Sequence, residues 1–204
     1  MYLFLLAVIY LAFISLGLPD SLLGAAWPTI RTAFEVPLSY MGLISMIISG
    51  GTILSSLMSE RLTKKIETKA VTVISVFLTA IALFGFSTST AFYQMCLWAI
   101  PYGLGAGAID AALNNYVALH YNSRHMNWLH CFWGVGTIIS PYIMSYALTH
   151  SVWTNGYRIV SYLQFGIAAV LLMTLPLWKI NKPSTSGENN GKLLGITGAL
   201  QIKG

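Results

Sequence analysis

The stretch "GAIDAAL", Gly107 to Leu113, places one carboxylate in a run of small and apolar residues that otherwise has the composition of a membrane helix. It matches an earlier stretch, "GLPDSLL" from Gly17 to Leu23, at the glycine, the aspartate and the final leucine. A second pair of similar stretches, "GTILSS" (51–56) and "GTIISP" (136–141), follows in the same order and at a similar offset. Many transporters are built from segments that are repeated with opposite orientation in the membrane, and the two matches predict such an inverted repeat.

The composition predicts a membrane protein with several spans. Of the 204 residues, 56% are hydrophobic and 8% are charged, whereas a soluble domain carries about 25% charged residues. A bilayer core of about 30 Å requires about 20 apolar residues per helix, and turn-forming residues divide the chain into six such segments. The predicted spans are Tyr2–Ile30, Leu38–Met58, Ala70–Ser87, Phe92–His120, Asn127–Leu148 and Tyr157–Ile180.

These spans define the predicted fold, an all-α membrane protein with six transmembrane helices in a 3+3 inverted repeat. Residues 1–180 form the six-helix bundle, and the polar residues 181–204 form a cytoplasmic linker that leads towards a second half. The apolar N-terminus lacks the basic region of a signal peptide, so we interpret it as a retained first span.

The positions of the basic residues predict the orientation of the bundle, because short cytoplasmic loops hold an excess of Lys and Arg. With the N-terminus inside, nine of the 11 fall on the cytoplasmic side and two fall outside. The nine are Arg61, Lys64, Lys65, Lys69, Arg124, Lys179, Lys182, Lys192 and Lys203, and the two are Arg31 and Arg158. We therefore expect cytoplasmic N- and C-termini in a plasma membrane, such as the bacterial inner membrane.

Two of the six acidic residues, Asp20 and Asp110, fall inside predicted spans and at equivalent repeat positions. A carboxylate at membrane depth is costly, so such residues face the bundle interior and mark ion or substrate paths. Desolvation disfavours the charged form, so such an acid can load and release a proton near neutral pH. Both are candidates for proton coupling. The alternative is that they are neutral hydrogen-bonding groups that only pack the helices.

Polar and aromatic residues near the two acids are candidates for solute binding. Gly17, Asp20, Gly24 and Trp27 recur at helical spacing, and Asn114 follows Asp110 by one turn. In the fifth span Asn127, His130 and Gly134 repeat the pattern, with Trp133 beside them. Amides together with indoles are typical of sugar binding. The candidate solute-binding residues are thus Asp20, Trp27, Asn114, Asn127, His130 and Trp133.

For three of these residues a packing role is an open alternative. Trp27 and Trp133 could be packing aromatics or could lie at the bilayer interface, and His130 could be a packing histidine.

The sequence predicts no metal site and no cofactor. His120, His125 and His130 are spaced by five residues, which does not bring them onto one helical face. Cys96 and Cys131 lie in apolar segments without metal-ligand spacing. The stretch "GLGAG" (103–107) imitates part of a dinucleotide fingerprint but has no preceding strand, so small-residue helix packing is the better interpretation. Because no nucleophile or metal motif stands out, we do not expect an enzyme.

The six spans, the basic loop after the second span and the inverted repeat resemble the N-terminal half of a major facilitator superfamily transporter. The loop "SLMSERLTKK" (56–65) is similar to that superfamily's signature between its second and third helices, Gly-x-x-x-Asp-Arg-x-Gly-Arg-Arg. Glu60, Arg61, Lys64 and Lys65 occupy the charged positions, while Ser56 and Thr63 stand where glycines are usual. The resemblance implies that these four charged residues lock the cytoplasmic face during gating.

Within the superfamily, the stretches "GLGAGAIDAALNNYV" (103–117) and "HMNWLHCFWGVG" (125–136) resemble the sugar:proton symporters of the fucose permease type. There an acid in helix one and an acid in helix four serve substrate binding and proton coupling, which the resemblance carries over to Asp20 and Asp110. Asn127 and His130 match the sugar-binding positions of helix five in place but not in residue type.

The leading expectation is therefore the N-terminal half of a proton-coupled transporter for a sugar or a related small polar solute. The expected partners are the solute, the proton, the lipid bilayer and a second six-helix half, which is the same chain continued, a split partner or a second copy. No nucleic acid is expected. The alternative is a non-transporting remnant or assembly partner of a membrane complex.

Overall fold

A computed structural model describes residues 2–179, and within that range every regular element is helical. The helices are α1 (Tyr2–Gly17), α2 (Leu22–Ala33), α3 (Tyr40–Thr88), α4 (Phe92–His120), α5 (Ser123–His150) and α6 (Trp153–Thr174), and a short 3-10 helix covers Leu175–Lys179. Ile180, the last residue of the predicted sixth span, and the predicted linker 181–204 lie outside the described residues. The fourth predicted span has the bounds of α4, while α5 begins before the fifth predicted span and α6 ends before the sixth.

Five helical stretches among the described residues are long and apolar enough to cross a membrane. The second and third predicted spans both fall within α3, which has 49 residues. At 1.5 Å per residue such a helix would be about 74 Å long, more than twice the bilayer core of about 30 Å. It is interrupted at Glu67, whose φ of 64° and ψ of 150° are not helical. Two helical segments therefore meet at Glu67, while the count of six spans stays a prediction.

The prediction of a loop after the second span is wrong, because the chain stays helical from Met58 to Ile66. No Gly or Pro occurs between Met58 and Ala70, and the residues there are mostly good helix formers. Glu60 and Lys64 also form an ion pair of 2.7 Å at i,i+4 spacing, which supports a helix.

The first predicted span lies within one apolar stretch long enough to cross a membrane, Leu3–Ala33, but a turn at Leu18–Ser21 divides this stretch into α1 and α2. Pro19 lies in this turn, and its ring and missing N–H favour a kink or a break in a helix. The backbone N–H of Leu22 donates to the Pro19 carbonyl at 3.1 Å as the chain enters α2. Asp20 therefore lies in a helix break and not within a continuous helix.

The first segment of α3 packs against α4 through close backbone contacts at glycines. A Cβ added at Gly103 would lie 3.0 Å from Ile48 Cα, and one added at Gly107 would lie 2.7 Å from Thr52 Cα. The hydroxyl of Thr52 donates to the Gly103 carbonyl at 3.3 Å, and that of Ser56 donates to the Gly107 carbonyl at 3.1 Å. The glycines of "GLGAG" thus serve helix packing, which is the use of small residues expected in membrane bundles.

Helices α1 and α5 approach each other in the same way. A Cβ at Gly17 would meet the Trp133 carbonyl group, and one at Gly136 would lie 2.9 Å from the Leu18 nitrogen. Gly17 and Gly107 occupy matching places in the repeated sequences, as do Gly136 and Gly51. The α1–α5 and α4–α3 contacts therefore use corresponding glycines.

A buried amide ties α6 to the rest of the bundle. Gln164, which is 1% exposed, accepts a hydrogen bond from the Thr79 hydroxyl at 2.8 Å and donates one to the Ser15 carbonyl at 2.6 Å. Ser161, one turn before it, donates to the Ala80 carbonyl at 2.9 Å. These bonds connect α6 with α1 and with the second segment of α3.

Candidate functional site

The carboxylate of Asp20 is held by two neutral donors from two other helices. Trp133 of α5 donates its indole N–H to Oδ2 at 2.9 Å, and Tyr102 of α4 donates its hydroxyl to Oδ1 at 3.1 Å. Asp20 itself lies in the turn between α1 and α2. Each carboxylate oxygen can accept more than one hydrogen bond, so both retain capacity for a further partner.

Asp20 and Asp110 line the same cavity, which has a volume of about 320 Å³ and which we call the acidic cavity. Its walls come from α1, the helix break, the first segment of α3, α4 and α5. The lining residues are Phe13, Leu16, Asp20, Ile48, Thr52, Tyr102, Ala106, Asp110, His130 and Trp133. No Lys or Arg side chain is among them.

Asp110 reaches the acidic cavity from α4. Tyr102, Ala106 and Asp110 are spaced by four residues and present one face of this helix to the cavity. The side-chain amide of Asn114 donates to Asp110 Oδ1 at 2.9 Å, while the amide oxygen of Asn114 is buried and has no hydrogen-bond partner within residues 2–179. Asn114 thus supports Asp110 and does not line the cavity itself.

The α5 wall of the acidic cavity consists of His130 and Trp133. His130 lines the cavity together with Asp110, and its ring packs edge-to-face with Phe13 at a centroid distance of 6.0 Å. Trp133 is 38% exposed, so its indole ring has a free surface besides the N–H bonded to Asp20. A flat apolar ring next to acidic and imidazole groups provides both stacking and hydrogen-bonding partners for a small polar molecule.

Two predicted solute-binding residues lie away from the acidic cavity. Trp27 is 2% exposed, donates its indole N–H to the Leu38 carbonyl at 3.1 Å and packs edge-on against Phe92. These contacts are those of a packing aromatic. Asn127 is exposed on the first turns of α5 and does not line the cavity.

Tyr102 and Thr52 line the cavity but were not among the predicted site residues. Tyr102 precedes Asp110 by eight residues, so the helical spacing of the two was a signal that could have identified it. Thr52 faces the cavity because its hydroxyl bonds to Gly103 across the α3–α4 contact, which only the packing of the two helices reveals.

The predicted gating residues lie at the end of the first segment of α3, and all four are exposed. The ion pair with Lys64 lowers the pKa of Glu60, and Arg61 contributes in the same direction. Arg61 and Lys65 form no ion pair within the described part of the chain.

The cysteines and the other histidines are potential metal ligands and lie outside the acidic cavity. Cys96 and Cys131 are free thiols. Tyr10 shares a hydrogen bond of 3.0 Å with His125, and His120 stacks on Tyr116. Within residues 2–179 no group of three or more His, Cys, Asp or Glu side chains could hold a metal ion.

Comparison with known proteins identifies the family. The sequence model of the Major Facilitator Superfamily matches residues 9–201, which is most of the chain. No curated protein matches the sequence. The apolar spanning helices and this match make the protein an integral membrane protein. The chain belongs to the major facilitator superfamily, which is a family of transporters for small solutes.

Proposed function

We propose that the chain is the N-terminal half of a secondary transporter that takes up a sugar or a related small polar solute together with protons, by alternating access. The observation that carries this proposal is the acidic cavity, where two aspartates share one space with His130 and the indole of Trp133. Two carboxylates without a lining Lys or Arg suit a neutral or cationic solute better than an anion.

The hydrogen bonds give the two aspartates different roles. Both oxygens of Asp20 accept bonds from neutral donors, which orient this carboxylate towards a solute hydroxyl. Asp110 has one oxygen bonded to Asn114 and one that can take a proton. We therefore assign solute binding mainly to Asp20 and proton binding mainly to Asp110.

The proposed solute site contains Asp20, His130 and Trp133. A sugar presents an apolar ring face and a belt of hydroxyls, so the indole of Trp133 can cover the face while the carboxylate and imidazole bond to the hydroxyls. Asn114 contributes to the site only through its hydrogen bond to Asp110. Trp27 and Asn127 are left out of this site because neither lines the cavity.

The paired glycine contacts support the proposed 3+3 inverted repeat. In such a repeat, α1 corresponds to α4 and the first segment of α3 corresponds to α5, so the α1–α5 contact should correspond to the α4–α3 contact. Gly17 and Gly136 lie in the first contact and Gly107 and Gly51 lie in the second, as the sequence matches require.

The site needs a second wall. Asp20, His130 and Trp133 are all exposed in the described part of the chain, and polar groups of this kind do not face lipid. We propose that a second six-helix half covers them, whether it is the same chain continued, a split partner or a second copy. Cysteine crosslinking from exposed positions of α5 in native membranes tests this; a monomer whose α5 reacts only with lipid probes would contradict it.

We also propose the orientation with cytoplasmic N- and C-termini in a plasma membrane, because it places most basic residues inside. In this orientation the exposed residues Glu60, Arg61, Lys64 and Lys65 lie at the cytoplasmic face. There they can pair with the second half when that face closes.

Transport by the purified protein in proteoliposomes tests the function. A panel of aldohexoses, 6-deoxyhexoses, pentoses and hexitols is added to vesicles containing a pH-sensitive dye, without an imposed gradient. A symporter should acidify the lumen when its solute is added, because protons enter with the solute. A non-transporting remnant gives neither uptake nor acidification with any member of the panel.

A further inference from the structure

A second cavity adjoins the acidic cavity on the other side of Asp20. It has a volume of about 420 Å³ and lies between α2 and the start of α3. Ser21, Ser45 and Ser49 line it, together with Gly24 and Met41, and we call it the serine cavity. Met41, Ser45 and Ser49 are spaced by four residues, so one face of α3 forms this wall.

The three serine hydroxyls are free to bind a ligand. Within residues 2–179 they make no hydrogen bond, and Ser21 does not cap α2 although it occupies the N-cap position. By contrast, Ser55 and Ser87 donate to carbonyls of their own helix, at 3.2 and 2.6 Å. A hydroxyl that does not bond back to its helix presents both its donor and its acceptor to the cavity.

The two cavities share one partition. Asp20, Ile48 and Tyr102 line both of them. The hydroxyl of Tyr102 donates to Asp20 across this partition, so the carboxylate is accessible to a molecule on either side. The same face of α3 continues from Ser45 and Ser49 to Thr52 in the acidic cavity.

We propose that the serine cavity is a second binding site for the transported solute, with the three serine hydroxyls and Asp20 as its polar partners. The proposal rests on the proposed function, because it takes the solute to be rich in hydroxyls. A molecule bound there exchanges hydrogen bonds with Ser45 and Ser49, and it passes to the acidic cavity when the Tyr102–Asp20 bond opens. The volume of about 420 Å³ is sufficient for a small polar solute.

Thiol labelling in membranes tests the second site with the same sugar panel. In a background in which Cys96 and Cys131 are replaced by serine, Ser49→Cys reports on the serine cavity and Ala106→Cys reports on the acidic cavity. The rate of reaction with N-ethylmaleimide is measured at increasing concentrations of each sugar. We expect at least one sugar to slow the labelling of both reporters.

Two further variants separate binding from general shielding. Gly50→Cys lies next to Ser49 but points into open space, so its labelling should be unaffected by sugar. Adding Ser45→Ala should raise the half-protecting sugar concentration for Ser49→Cys by about two- to tenfold, the loss of one hydrogen bond. The half-protecting sugar concentration for Ala106→Cys should not change.

The outcomes distinguish this proposal from the proposed function. Protection of Ala106→Cys without protection of Ser49→Cys would refute the second site but not the proposed transport function. An equal effect of Ser45→Ala on the half-protecting sugar concentrations of both reporters would do the same. If no sugar protects either reporter, the sugar-transporter proposal fails and the second site fails with it.

Discussion

Replacing Gly107 by alanine should destabilise the bundle, although alanine is the better helix former. The new methyl group would lie 2.7 Å from Thr52 Cα and closer still to the Thr52 carbonyl oxygen and the Ser55 hydroxyl. Since ordinary carbon contacts are about 3.5–4.0 Å, α3 and α4 must separate. Overpacking of this kind costs about 1–3 kcal/mol, whereas alanine gains about 0.5–1 kcal/mol over glycine within a helix.

Gly134→Ala is the matched control, because a Cβ at Gly134 meets nothing within 4 Å. It should keep the helix-propensity gain without the clash, so the two variants should differ by about 1–3 kcal/mol. For a protein of this size this corresponds to a melting temperature about 2–12 °C lower for Gly107→Ala. The assay is thermal unfolding of purified protein in detergent, followed by tryptophan fluorescence. A Gly107→Ala variant as stable as Gly134→Ala would refute the close helix contact.

Two other substitutions test the contacts around the bundle interior. Tyr102→Phe removes one donor to Asp20 and, since a hydrogen bond to a charged group is worth about 1.5–3 kcal/mol, should lower the melting temperature by about 3–12 °C. Tyr157→Phe, which changes a buried tyrosine outside the cavity, should not. Gln164→Leu removes the bonds to Thr79 and Ser15. At about 0.6–1.7 kcal/mol per bond in a membrane protein, the variant should have a melting temperature about 2–14 °C lower, and an unchanged melting temperature would contradict these two bonds.

The lengths of the apolar runs predict where most of the helices lie. Phe92–His120 was predicted with the bounds that α4 has, because a polar, turn-forming segment flanks it on each side. The break before α2 was missed although Pro19 marked it, since the run from Tyr2 to Ile30 is apolar on both sides of the proline. The charged residues around Arg61 predict a loop, but Glu, Lys and Arg form helices well in the absence of Gly and Pro.

The site was predictable where it depended on charge and not where it depended on packing. Asp20 and Asp110 stand out in any apolar span, and the structure places both in one cavity. Tyr102 was overlooked because an aromatic residue in a membrane helix is not unusual. The spacing of Gly17, Asp20, Gly24 and Trp27 predicts one shared face only for a continuous helix. The turn at Leu18–Ser21 interrupts that helix, and Trp27 does not line the cavity.

In the proposed mechanism Asp110 carries the proton, and Asp110→Asn tests this role. The asparagine keeps the shape of the side chain and its hydrogen-bonding capacity but cannot release a proton. Glu35→Gln is the control, because it removes an exposed carboxylate that does not line the cavity. Uptake driven by a pH gradient and exchange of labelled for unlabelled solute are measured on the same proteoliposomes. We expect Asp110→Asn to lose accumulation and to retain exchange, while near-normal accumulation by this variant would show that Asp110 does not carry the proton.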